Sequence, residues 1–334
     1  MTSLLKFLSL RCLAVLLCLP FPVLVHAQAA GPSVESAAAA AVEWGSPHAE
    51  HVFGLPEAKI KDKGTLSITP AGLSFHGEMS NTTIPLATIL AVGAGNERVE
   101  LWGVKGQILR AVMPNSSGLL AATMMHHRVD MFTVEFVGAN GGYHAAVFFL
   151  PAHDADRAVK TLSALPVQYH KPVANVCEKT LVQPKTIRVP EPEWNGLTVP
   201  TAYRALLYEH MVDELRKSGQ FERVYRDGEE AAGNACAEYT VRLSVTGFKA
   251  GNQVERASMG PVGMFVGTTQ MVFEVSIRDE SGRMNFHEQG KATVRGESQN
   301  TKVSESIAKK FVKKFVQWRK QPAPVTQAGV GEAL

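Results

Sequence analysis

From Gly64 to Leu150 the chain alternates apolar and polar residues with a period of two, which commits this stretch to half-buried strands. GTLSIT and LSFHGE flank a turn at Pro70-Ala71-Gly72, and TTIPLATILAVGAG follows. RVELWGV, GQILRAVM, VDMFTVEFVG and YHAAVFFL continue the pattern, the last two joined by a turn around Asn140-Gly141-Gly142. Pro151 leads into the helical segment HDADRAVKTLSALPV, where Asp154 and Asp156 favour the positive end of the helix dipole. About seven antiparallel strands closed by one C-terminal helix are expected, an antiparallel β-barrel over residues 48–166.

A Pro-rich stretch, KPVANVCEKTLVQPKTIRVPEPEWNGLTVP, then opens a second region with a strand at KTIRV. In TAYRALLYEHMVDELRKSG, Tyr203, Leu207, Met211 and Leu215 recur every four residues and Gly219 supplies the stop, so a helix is expected. A strand at FERVYRD and the polar stretch GEEAAGNA precede three strands, AEYTVRLSVTGFKAG, TQMVFEVSIRD and MNFHEQGKATVRG. NTKVSESIAKKFVKKFVQWRK closes the region as a helix. The expectation over residues 172–320 is an α+β sandwich with two helices on one sheet, followed by a disordered Pro/Ala/Gly/Gln-rich tail over 321–334.

At the front, Lys6 and Arg11 precede an apolar run from Leu13 to Val25, and small residues follow at Ala27, Ala29 and Ala30. This order is that of a secretory signal over residues 1–29, cleaved after Ala27 or, preferably, Ala29. The run falls short of the ~20 apolar residues of a membrane span, and Pro20 and Pro22 interrupt it. Leu17 and Arg11 before Cys18 and Cys12 do not suit lipid attachment. Residues 30–47 read as a flexible lead-in.

The formal net charge is +3, and no acid precedes Glu35, so loss of Lys6 and Arg11 leaves +1. That charge excludes binding of nucleic acid or another polyanion through a global field. Of four cysteines, Cys177 and Cys236 remain after cleavage, in an oxidising compartment. A disulfide between them is expected, with two separate buried thiols as the alternative. Neither has a second ligand at metal-like spacing.

Two resemblances rest on these patterns. The run GTLSITPAGLSF, then TIPLATILAVGAG and a last helix after AAVFFL, resembles the pleckstrin-homology-like barrels, GRAM domains included. The resemblance implies a strand-built barrel plugged by a terminal helix, with phosphoinositides or peptides as ligands in some families. Only Lys59, Lys61 and Lys63 stand before the first hairpin, too few for lipid phosphate. The second region is similar to the bacterial envelope domain of unknown function 4410. The similarity lies in the helix followed by FERVYRD, the strand ahead of GPVGMFVG, the hairpin FEVSIRDESGRMNFHEQGKATV and the terminal lysine-bearing helix. It implies envelope placement and no chemistry.

Other constellations have plainer alternatives. In the closing helix Ile307, Ala308, Phe311, Val312, Phe315, Val316 and Trp318 share one half-circle, and Lys309, Lys310, Lys313, Lys314 and Lys320 the other. Such a helix either closes a core with solvated lysines or lies on an anionic membrane. Gly260 to Gly267 fits neither a dinucleotide fingerprint nor a phosphate loop, and Gly263, Met264, Phe265, Val266 and Gly267 form a candidate contact loop. Met124, Met125, His126, His127 and Met131 offer soft ligands, but adjacent strand histidines point to opposite faces. His48 and His51 read as a loop, and His153 with Asp154 and Asp156 as a helix start. Asp213 and Glu214 sit on a helix surface. No nucleophile elbow, zinc helix or serine-lysine pair occurs, and the sequons at Asn81 and Asn115 matter only in a eukaryotic pathway.

The reading is an exported, periplasmic or secreted, non-catalytic binding or adaptor protein of the bacterial envelope. It has no catalytic, metal or cofactor residues, and its partner is expected to be another envelope protein. The alternatives are a periplasmic enzyme with a dispersed active site and a membrane-surface protein held by its closing helix.

Overall fold

The computed structural model describes residues 43–100, 126–165, 182–229, 236–252, 267–295 and 299–320. Strands β1 (Trp44–Phe53), β2 (Lys63–Thr69), β3 (Gly72–Gly77), β4 (Asn81–Pro85), β5 (Ile89–Glu100), β6 (His126–Val137) and β7 (Tyr143–Leu150) form one antiparallel sheet, in the order β4-β3-β2-β1-β7-β6-β5. Its two edge strands are consecutive in sequence. Pro85 has no N–H to continue the ladder, and a 3-10 turn at Leu86–Thr88, held by Thr88 Oγ1 donating to the Pro85 carbonyl at 2.8 Å, leads straight into β5. A flat sheet of seven strands is ~29 Å wide, whereas the four steps from Pro85 to Ile89 reach ~14 Å at most. The sheet must therefore curl until its edges nearly meet at that end. Among the described residues no ladder joins β4 to β5, so the expected barrel is not hydrogen-bonded shut.

The concave face encloses an apolar core. Leu66, Ile68, Leu73, Phe75, Ile84, Ile89, Phe132, Val134, Phe136, Ala146, Phe148 and Leu150 meet there, and helix α1 (Asp154–Ala164) plugs it with Ala155, Ala158 and Leu162. β1 starts at Trp44, inside the stretch read as a lead-in: Trp44 is buried and pairs with Ile68. β5 runs unbroken from the turn through AVGAG to Glu100. GQILRAVM and most of RVELWGV lie outside the described residues, as does the signal segment.

The second sheet holds β8 (Val182–Val189), β9 (Arg223–Arg226), β10 (Cys236–Lys249), β11 (Thr269–Asp279) and β12 (Met284–Val294), in the order β12-β11-β10-β8-β9. β8 runs parallel to both neighbours; the crossover through α2 (Thr201–Lys217) returns the chain to β9 in the same direction. Helix α3 (Lys302–Arg319) lies beside α2. Together they make a helical layer, giving the α+β arrangement with two helices on one sheet.

α2 is buried on more than its predicted stripe. Tyr203 meets Phe248 of β10 at a ring separation of 5.2 Å, whereas Tyr208 meets Tyr143 of β7 at 4.8 Å. Hence α2 lies between the convex face of the first sheet and the second sheet, and one apolar cluster runs from Val147 and Phe149 through α2 to Val275 and Phe311.

The closing helix does not offer its apolar face to a membrane. Phe311 and Phe315 are 0% and 3% exposed, each within 6 Å of Phe286 on β12 by ring centroid (5.8 and 5.7 Å). The membrane-surface reading is corrected accordingly: that face closes the second core, and the lysines face outward. No helix among the described residues is long and apolar enough to cross a membrane.

Candidate functional site

Among the described residues the most deeply buried ion pair lies at the seam between the first sheet and α2. β1 leaves the sheet after Phe53, whose partner on β7 is Val147, so the β7 backbone beyond Val147 has no neighbouring strand on that side. The second region supplies the missing partners. The Ala145 N–H donates to Glu209 Oε1 at 2.9 Å, Arg226 Nη1 donates to the Tyr143 carbonyl at 3.0 Å, and the Tyr143 N–H donates to the Asp227 carbonyl at 2.7 Å. Arg226 grips Glu209 through both nitrogens at 2.7 Å each. The Asp227 N–H donates to Tyr208 Oη at 3.0 Å. Gly54 makes room: at φ +92°, a Cβ there would stand 1.9 Å from the Ala145 carbonyl oxygen.

Burial pushes the Glu209 carboxyl up while Arg226 pulls it down; for Arg226, burial is outweighed by Glu209 and the guanidinium is held charged. The directions compete within one pair. The bidentate geometry and the extra backbone bonds on both partners are those of an ion pair, which fixes the seam and leaves these groups no capacity for chemistry.

Two clefts flank β1 near this seam and share Glu50 and Phe149. The first, of about 250 Å³, lies between β1, α2 and the start of α3. Its floor is apolar, with Val52, Phe53, Phe149 and Leu206, and its rim carries Lys61, Asp213, Glu214, Lys217, Lys302, Glu305 and Lys309. His210 lies over Phe53 with ring centroids 4.1 Å apart. Burial lowers its pKa to about 4 against the opposing pull of Glu305 and Asp213, so the ring is neutral at pH 7. Asp213 accepts from Lys217 at 2.6 Å, and Glu305 is paired with Lys309. The second cleft, of about 840 Å³, opens where β1 bulges between Ser46 and Ala49, and His48, Lys63, His76 and Glu78 line it.

These clefts can hold a small polar ligand by charge and stacking. Among the described residues no three His, Cys, Asp or Glu side chains gather as a metal set. His51, buried on β1, is committed to structure: Nδ1 donates to the Lys59 carbonyl at 2.9 Å and Nε2 accepts from the Leu55 N–H at 3.1 Å, which fixes the loop between β1 and β2. Burial lowers its pKa.

The sequence-derived candidates scatter. Cys236 is buried at the start of β10, while Cys177 lies outside the described residues. Gly263, Met264, Phe265 and Val266 also lie outside them, and Gly267 has a left-handed backbone at φ 62°. Met124 and Met125 lie outside as well, and Met131 is buried at the seam core. His48 and His51 belong to β1 rather than to a loop, because the strand runs from Trp44 to Phe53. Asp213 and Glu214 are half-buried at the cleft rim rather than fully solvated. The groups that sequence reading missed are Glu209, Arg226 and His210. One signal was available: Glu209 sits three residues after Leu206 and three before Val212, an acid in the middle of a second apolar stripe.

No family model matches the chain, and no curated protein matches it. Among solved structures it is similar to the PelC dodecamer from Paraburkholderia phytofirmans, at 18% identity over 41% of this chain and 91% of that one, with a TM-score of 0.28. It is also similar to a crystal structure of an uncharacterized protein, at 8% identity over 42% and 93% of the two chains, with a TM-score of 0.24. Scores at this level establish no shared fold.

Proposed function

We propose that this chain is an exported, non-catalytic binding or adaptor protein of the bacterial envelope that engages its partner at the cleft between β1, α2 and α3. The observation that carries the reading is where the perturbed groups lie. Strongly shifted ionisable groups mark reactive sites when they face a cleft, and here Glu209, Arg226 and Tyr208 are spent on backbone and on one another inside the seam. What faces the cleft is one strongly shifted group, His210, neutral and tilted against Phe53, with lysine-tied carboxylates and an apolar floor, a recognition surface rather than a proton relay. The signal-like residues 1–29 support export. The curled sheet plugged by α1 supports a pleckstrin-homology-like domain, and the helix-bearing second sheet supports likeness to the 4410 family.

The experiment is site-specific photocrosslinking in the envelope, with the probe at Ile60, which is 54% exposed and lines the cleft, and a control probe at Met284, 46% exposed and away from it. A discrete adduct at position 60 and none at 284 is expected. Equal labelling at both positions, or none, overturns the reading.

Export also supports the Cys177–Cys236 disulfide. Cys236 pairs in register with Val182, and Cys177 precedes Val182 by five residues, a span of at most ~18 Å. Thiol labelling of the non-reduced protein is expected to find no free cysteine. Labelling of both residues in the folded protein refutes the bond.

A further inference from the structure

We propose that the second cleft, of about 840 Å³ beside the β1 bulge, binds a small amphipathic cation, an apolar body carrying an ammonium head. This goes beyond the reading of the cleft between β1, α2 and α3, with which it shares only Glu50 and Phe149.

The cavity follows from the strands that frame it. Ala49 pairs with Gly64 and Gly64 with Gly77, so one row across β1, β2 and β3 carries almost no side chain. Gly64 is obligatory there, since a Cβ would stand 2.0 Å from the His76 carbonyl oxygen. The bulge between Ser46 and Ala49 breaks the ladder at the same place. Val129, Phe149, Leu150 and Pro151 add an apolar wall, and the volume is that of a small-molecule site.

The charge around this cavity is in excess on the acidic side. Lys63 stands 3.8 Å from Glu50 and offsets it. Glu78 is exposed at the rim and has no ion-pair partner among the described residues. A third carboxylate lies behind the floor: a Cβ at Gly77 would stand 2.2 Å from Asp62 Oδ2, and Asp62 is 0% exposed. It accepts from the Met79 N–H at 3.2 Å and from the Ser80 hydroxyl, donors that favour the ionised form. No cation pairs with Asp62 among the described residues, and Lys61, its neighbour in sequence, lines the other cleft. Two negative charges, one buried and fixed and one at the rim, therefore border the cavity without a counterion. Apolar walls strengthen their pull on a cation, and the same walls favour a body that leaves water on entering.

The test is a titration of the purified, exported full chain with hexylammonium, hexanol and hexanoate, which share a body and differ in head charge. The amide resonances of Gly64, Gly77 and Leu150 are followed by NMR at constant ionic strength. Saturable shifts are expected with hexylammonium, weaker binding with hexanol and the weakest with hexanoate. Glu78→Gln is expected to weaken hexylammonium about fivefold and to leave hexanol unchanged. Ala152→Trp, which adds bulk to the cleft lining, is expected to weaken both, and Glu57→Gln, outside the cleft, to change neither. The rest of the spectrum reports whether each variant stays folded. The proposal is overturned by hexanol or hexanoate binding as tightly as hexylammonium, by absence of saturation, or by saturation that Glu78→Gln and Ala152→Trp both leave untouched. Crosslinking at Ile60 reports on the other cleft, so its failure sinks that reading and leaves this inference standing.

Discussion

The two faces of β7 bury the same strand in different chemistry. Ala146, Phe148 and Leu150 point into the curled sheet, where Phe148 meets Phe75 at 5.4 Å and Phe132 at 6.5 Å between ring centroids. Ala145, Val147 and Phe149 point the other way, onto α2, where the burial is shared with an ion pair and its backbone partners. The inner face gains stability from area alone and tolerates exchanges of similar volume. The outer face is specified by directional bonds, and losing any member strands the others.

The largest expected effect breaks the outer face. Glu209→Ala leaves Arg226 charged, buried and unpaired, which costs about 3–5 kcal/mol, and it also orphans the Ala145 N–H. Urea unfolding measures this. In the double variant Glu209→Leu, Arg226→Met the buried charge is gone, so part of the loss returns. It does not all return, because the Ala145 N–H and Tyr143 carbonyl still lack partners, at about 1–3 kcal/mol each. A loss under ~1 kcal/mol for Glu209→Ala would show that the seam is held by apolar packing as the inner face is.

How legible this contrast was in sequence follows from the same physics. The inner core announces itself through alternation, so LSFHG, VDMFTVEF and the plugging helix could be read directly. β7 already signalled burial on both faces, since YHAAVFFL is a nearly continuous apolar run rather than an alternating one. Its partner on the convex side was not readable. Arg226 and Glu209 are 17 residues apart in sequence, and both join a β7 backbone more than 60 residues upstream. No local pattern encodes such a meeting. Similarly, β1 lies where an Ala-rich stretch reads as a lead-in and His48 and His51 as a loop, and its bulge between Ser46 and Ala49 interrupts the period of two.

A second way to sharpen the comparison is pH, because one neutral histidine stands on each side of β7: His144 stacks on Phe136 of the inner core at 5.4 Å, and His210 lines the cleft. Burial, aided by Arg226 and Arg216, lowers the pKa of His144 to about 3, and burial lowers that of His210 to about 4. The unfolded chain takes up these protons near pH 6.5, whereas the native state resists them until pH 4 and below. The unfolded state therefore binds more protons throughout that window, and stability falls as pH drops from about 6.5. By pH 5 the loss is about 2 kcal/mol per histidine. Urea midpoints at pH 7 and pH 5 measure it. Equal midpoints would mean that both rings titrate as in water, with their surroundings wetter than the packing indicates.

The smallest expected effect lies on the outer face of α3, and it divides that helix as β7 is divided. Phe311 fills the second core, and Lys313 on the opposite side is exposed and has no ion-pair partner among the described residues. Lys313→Ala should change stability by no more than ~0.5 kcal/mol, whereas Phe311→Ala should remove about 3–5 kcal/mol. Lys314 is the intermediate case, since it pairs with Glu288 of β12 at a half-exposed position; such a pair contributes about 0–1 kcal/mol. Ranking the three variants by urea midpoint separates a helix whose lysines are solvated from one whose lysines brace the sheet. If Lys313→Ala costs as much as Lys314→Ala, the lysine face acts as a unit through its field, and its spacing then matters beyond keeping the apolar face buried.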